Sequence, residues 1–266
     1  MTSARLVTLF GKEVLDLSRN RGALAPVAFV ALLSLVLPFG IAIGIPAVTD
    51  QRLSEDADLV KISAVGGEGE ELSEDGRVQL FLFQQFLMLF LLTPITGAMA
   101  LAAYSVVGEK QARTLEPLLA TPIGTIELLL AKVLGALVPT LAITMAGVLL
   151  YFGGLALFAE PGVMRAMANG RTALLVLLLG PATALVSLQA AIIVSSRVND
   201  PRTAQQFGVL IIVPLTALLI AQFTGSLRLS ATALALIGAG LLGLWVLLAL
   251  VSVVLFERES ILTRWR

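Results

Sequence analysis

Neither cysteine nor histidine occurs in the 266 residues of the chain. Their absence excludes disulfides, thiolate catalysis, histidine-dependent triads and the His- or Cys-rich sites that hold zinc, copper, haem or iron–sulfur clusters. Charge is scarce as well. Asp, Glu, Lys and Arg make up 14% of the sequence, against roughly 25% in an average soluble domain. The eighteen basic and eighteen acidic residues cancel, so nothing in the total marks a nucleic-acid binder or a carrier of polyanions. Two motifs are missing too: there is no G-x-x-x-x-G-K-[ST] phosphate loop and no G-x-S-x-G nucleophile elbow. The chain is therefore expected to be no enzyme, with no cofactor of its own.

What is present is apolar. Residues of the AVILMFWYC set reach 58% and the mean hydropathy is +0.95, more apolar side chain than one soluble core of this size can hide. A spanning helix needs about 20 mostly apolar residues, and six windows qualify: Ala23–Val48, Leu80–Val107, Leu128–Phe158, Thr172–Val194, Phe207–Thr224 and Ala231–Phe256. The fifth is short and holds Pro214. The first has 26 residues after a 22-residue segment, too long for a signal-peptide core, so the coding and mature starts are expected to coincide.

The expected fold is all-α: a single polytopic membrane domain over residues 1–266 with six transmembrane helices. An even count places both termini on one side. The termini, the 108–127 loop, the 195–206 loop and Lys132 carry twelve basic residues, and the opposite side six. That bias puts both termini in the cytoplasm, in a multi-pass protein of a cell membrane. Residues 1–22 read as an amphipathic helix in the cytoplasmic interface, with Leu6, Leu9, Phe10, Val14 and Leu17 on one face and Lys12, Glu13, Asp16 and Arg19 on the other.

Ion-coupled carriers and pumps place ionisable groups at membrane depth, and none lies well inside a span; Lys132 sits near the start of the third. Gln84, Gln85, Gln189 and Gln222 are expected to hydrogen-bond between helices, and Gly40-x-x-x-Gly44 with Gly238, Gly240 and Gly243 to pack helices closely. No inverted pair of broken helices is visible. An ion-coupled transporter or channel is thereby disfavoured. A membrane anchor that docks a cytoplasmic partner without moving anything is a further alternative.

The loop 108–127 reads Gly-Glu-Lys-Gln-Ala-Arg-Thr-Leu-Glu-Pro-Leu-Leu-Ala-Thr-Pro-Ile-Gly-Thr-Ile-Glu. Leu115, Leu118 and Leu119 fall at i, i+3, i+4, a small apolar stripe rimmed by Glu109, Lys110, Arg113 and Glu116. Thr121-Pro122 offers an N-cap and a first-turn proline for a helix into the third span. The stripe suits docking into another protein's groove, and equally well folding back onto the ends of its own spans.

The run Gly108-Glu109-Lys110, then Arg113 to Pro122, then Glu127 to Lys132, resembles the signature of ABC-2 type transporter permeases. The stretch Ser195–Gln206 and the Lys12-Glu13 segment are similar to the corresponding parts of that family, so the likeness covers nearly the whole chain. It implies a permease subunit of an ABC exporter, gripped through this loop by a separate ABC ATPase that binds ATP and Mg. It also implies a second permease chain, identical or different. Contacts with the ATPase would then come from Glu109, Lys110, Arg113, Thr114, Leu115, Glu116 and Leu118. Two departures are visible: the family usually has Gly at the place of Arg113, and Gly225–Ser230 is too short for the re-entrant helices of some relatives.

The opposite side carries one sizeable insert, Thr49–Gln79, with nine acidic and three basic residues around Gly66-Gly67-Glu68-Gly69. It reads as a solvated acidic loop, or as a collar drawing cations or a basic partner. By side, the charges become +4 within and −4 outside. The zero total conceals that asymmetry.

Overall fold

The structure is a computed structural model that describes residues 3–64, 69, 71–113, 124–198, 200–207, 209–224 and 229–255. Among them every regular element is helical. Helix α1 (Ser3–Arg19) leads through Asn20, whose side chain caps the next helix by accepting from the Ala23 amide. Helix α2 (Arg21–Thr49) carries a π-turn at Gly40–Gly44 just after Pro38, a residue with no amide to give the preceding turn. Short α3 (Ala57–Ala64) follows, with the Asp56 carboxylate accepting from the Asp58 and Leu59 amides.

Helices α4 (Glu74–Leu89) and α5 (Leu92–Gln111) form one 38-residue span. The break between them has i→i−3 bonds at Phe90, Leu91 and Thr93, just ahead of Pro94. Helix α6 (Thr125–Phe158) starts where the Glu127 carboxylate accepts from the Gly124 amide; Thr121 and Pro122 lie outside the described residues. Then come α7 (Val163–Met167), α8 (Gly170–Arg197), α9 (Pro201–Gln206), α10 (Val209–Phe223) and α11 (Ala231–Leu255).

Five helices, α2, α4–α5, α6, α8 and α11, are long and apolar enough to cross a membrane. The fifth of the six windows forms α10, only 15 residues long and below the usual crossing length of about 17–25.

The α4–α5 span is the axis of the bundle. Of its apolar window 83% is buried, against 17% for α2 and 11% for α11, so α2 and α11 keep faces for lipid or another chain. Helices α2, α6 and α8 pack around α5. Glycines mark the closest approaches. A Cβ on Gly97 of α5 would meet Thr140 at 3.0 Å and Val27 at 3.3 Å, and one on Gly238 would meet Leu178 at 2.6 Å. Gly40, Gly240 and Gly243 face open space within the chain, and Gly44 meets only the Phe39 carbonyl of its own helix at 3.8 Å, so the packing expected of these glycines is realised at Gly238 alone among the five. Of the amides, Gln189 bonds Ser252 across α8 and α11.

In the half of the bundle away from the 108–127 loop, Tyr151 is fully enclosed by Phe39, Phe83, Phe90 and Phe152, and its hydroxyl donates to the Phe83 carbonyl at 2.8 Å. Tyr151→Phe keeps the ring packing and loses this bond. It should lower stability in detergent by about 1 kcal/mol, measured by thermal unfolding; an unchanged midpoint would show the bond contributes nothing.

Candidate functional site

Both ends of the 108–127 loop sit on one buried ion cluster. Glu109 lies in the last turn of α5, and Lys132 in the second turn of α6. The Lys132 side chain is 0% exposed, its ammonium 2.7 Å from Glu109 Oε2 and 3.2 Å from Glu13 Oε1. It also donates to the hydroxyl and the carbonyl of Ser105, at 3.1 and 3.3 Å. The Ser105 hydroxyl in turn donates to Glu13 Oε2 at 2.6 Å, and Lys12 closes the set with a short bond to Glu109 Oε1. Two cations and two carboxylates balance, which is the condition for enclosing charge at all.

The cluster ties three elements that are far apart in sequence: α1, the end of α5 and the beginning of α6. It forms because α1 comes very close to α6. A Cβ on Gly135 would lie 2.5 Å from the Glu13 Cβ, and Gly135 is three residues past Lys132, on the same helical face. One glycine therefore admits the Glu13 backbone while the lysine one turn earlier receives its carboxylate.

This corrects the sequence expectation for Glu13. It does not take the outer face of α1; it is buried. Its position explains why: Phe10, Glu13, Val14 and Leu17 are spaced i, i+3, i+4, i+7, so Glu13 lies inside the apolar stripe. Lys12 is half-exposed beside it. Burial disfavours its ammonium, but the hydrogen bond with Glu109 and the nearby carboxylates of Glu109, Glu13 and Asp16 outweigh that and hold its pKa above the usual lysine value.

A second tie joins the two loops on this side. The Lys110 ammonium donates to the carbonyls of Ser195, Ser196 and Val198 at 3.4, 3.3 and 2.9 Å, at the C-terminal end of α8, where free carbonyls welcome a cation. Of the residues expected to touch an ATPase, Glu109 and Lys110 are thus engaged inside the chain. Arg113 is exposed. Thr114, Leu115, Glu116 and Leu118 lie outside the described residues. Sequence reasoning missed Glu13, Ser105 and Lys132 as a site, and the misplaced acid in the α1 stripe was the signal available.

A family model described as ABC-2 family transporter protein matches residues 7–257. The chain belongs to the ABC-2 transporter family. No curated protein matches it. As an ABC-2 family member it is a multi-pass membrane transport component, and such permeases generally work with an ABC ATPase.

Arg113 of this permease has φ of 54°, the left-handed conformation, just past the Ala112 C-cap of α5. Glycine fits such a position without strain. Arg113→Gly should stabilise the helix end by about 1 kcal/mol, visible as a raised unfolding midpoint in detergent. A fall would show that the arginine side chain holds the turn.

Lys12 gives a pH test. A pKa raised on folding stabilises below the unfolded value near 10.5 and is lost as pH climbs through the folded value. The effect of Lys12→Met on the midpoint should hence stay constant from roughly pH 6 to 9 and fade only in stronger alkali. A change near neutrality would mean the partners do not hold the ammonium.

Proposed function

We propose that the chain is the membrane-spanning subunit of an ATP-driven exporter, coupled through its 108–127 loop to a separate ATPase that binds ATP and Mg. Two permease chains, identical or different, and two ATPase chains make the working unit. With α10 taken as a short sixth crossing beside the five long helices, both termini are cytoplasmic, with α1 along the cytoplasmic interface. The supporting observation is the ion cluster: it makes α1, the end of α5 and the start of α6 one body, so a loop gripped by an ATPase would carry all three with it. Lys110 adds the end of α8. In this reading Glu109 and Lys110 fix the base of the loop, while Arg113, Thr114, Leu115, Glu116 and Leu118 face the ATPase.

Co-expression with a candidate ABC ATPase from the same genome, followed by purification on a tag carried by the permease, tests this. The ATPase should co-purify, and the reconstituted pair should hydrolyse ATP and export only when ATP is present. Transport by the purified permease without ATP would replace this reading with an ion-coupled one. Stable binding without transport or stimulated hydrolysis would favour an anchor.

A further inference from the structure

In the half of the bundle away from the 108–127 loop, four helices meet around a small void. About 10 Å³ of it is open to the centre of a water-sized particle, which is room for about one such particle. Gln84 of α4, Arg171 and Thr172 of α8 and Gln222 of α10 form its polar lining, and Leu234 of α11 helps to close it. The void lies where two helices leave regular α geometry. Leu175, the first residue of a π-turn over Leu175–Leu179, borders it, and so does Met88, just before the break between α4 and α5. Single π-turns within helices gather at functional sites.

Gln222 is the residue that points to an occupant. It is only 4% exposed, and its amide nitrogen is buried with no hydrogen-bond partner among the described residues. The interhelical bond expected of it is missing at that atom. A buried N–H left unpaired is costly, and an acceptor in the void would remove the cost. Charge then selects the acceptor. Arg171 is the one ionisable side chain among the described residues that border the void, and no carboxylate borders it. Arg171 and Gln84 have other partners as well, but a guanidinium carries five N–H donors and serves several acceptors at once. A cation would meet like charge there. A water molecule would answer the amide and leave the guanidinium uncompensated; an anion answers both.

We infer that the void is a binding site for one small monovalent anion, a halide such as chloride, held by Arg171, Thr172 and Gln222. Room for a single particle excludes a phosphate or a carboxylate group. Hydrogen bonds to an ion are about twice as strong as neutral ones, and partial removal from water strengthens them further. The bound anion also has a structural consequence. Helix α10 packs chiefly on α4 and α5, and an ion shared by Gln222 and Arg171 ties it to α8 as well. Occupancy needs neither ATP nor an ATPase, so the site stands or falls apart from the exporter reading.

The test uses the purified full chain in phosphatidylcholine nanodiscs, with sodium gluconate exchanged for sodium chloride or bromide at constant ionic strength. Both halides should raise the unfolding midpoint by several degrees along a saturating curve, and sulfate should not. Radiolabelled chloride should bind at one ion per chain, with binding to empty discs subtracted, and bromide should displace it. Arg171→Gln should lower the chloride affinity at least about tenfold, the scale of one charge-assisted bond. Gln222→Leu should abolish the halide-dependent rise while its midpoint in gluconate does not fall, because the unpaired amide leaves together with the donor. Equal midpoints in gluconate and chloride with no labelled ion bound would leave the void to a water molecule. A halide effect that neither substitution diminishes would place the anion elsewhere. Either result overturns the inference.

Discussion

Lys132→Met is expected to destabilise the chain by about 3–5 kcal/mol, the usual loss when one partner of a buried ion pair is removed. The lysine lies against both carboxylates and both polar atoms of Ser105. Without it, Glu13 keeps the Ser105 hydroxyl and, for its charge, only the longer contact to the half-exposed Lys12 at 3.8 Å. Glu109 retains Lys12, so most of the loss arises at Glu13. Glu13→Gln added to Lys132→Met should therefore recover more than half of it, because the remaining Lys12 and Glu109 balance by themselves. Thermal or denaturant unfolding in detergent gives all four corners of the cycle. If the single variant falls within about 0.5 kcal/mol of the parent, as surface substitutions do, the cluster is not a structural unit. If the double variant is no better than the single, charge balance is not its basis.

The apolar windows were legible because a bilayer demands length and hydropathy, and both are local properties of a sequence. The α2, α6, α8 and α11 helices match their windows to within a few residues at each end. The second apolar window begins only at Leu80, whereas α4 starts at Glu74 behind the Ser73 cap. Residues 74–79 are polar enough to escape a hydropathy window, yet Gly76, Val78 and Gln79 are buried. The cluster was illegible for a different reason. Its pairs lie 97 and 119 residues apart, and only the crossing at Gly135 brings them together. Each member had an innocent reading alone: Lys132 as a residue at the membrane edge, Glu13 as part of a polar helix face. The acidic insert was similarly underread. Asp56 caps a helix and Asp75 holds the Ser54 amide, so part of that charge organises backbone rather than merely meeting water.

The other large effect belongs to the loop itself, where Leu115→Asp with Leu118→Asp should abolish co-purification of the ATPase. Each leucine seated in a partner's groove contributes about 1.5–3 kcal/mol of burial, and a carboxylate forced into the same place adds a desolvation penalty. Together these weaken the complex by well over a hundredfold. The permease alone should keep its unfolding midpoint, since the cluster that fixes the base of the loop is untouched. Gly135→Leu supplies the opposite result. Its side chain collides with Glu13 at the helix crossing and pulls α1 from α6, while the leucines stay available to the partner. That variant should retain the ATPase and its basal hydrolysis but lose ATP-driven export. Loss of the midpoint in the leucine variant would mean that the stripe folds onto its own spans, the alternative the sequence left equal. Retention of the ATPase there would place the grip elsewhere. Full export in the Gly135 variant would show that loop motion reaches the bundle without α1 and its ion cluster.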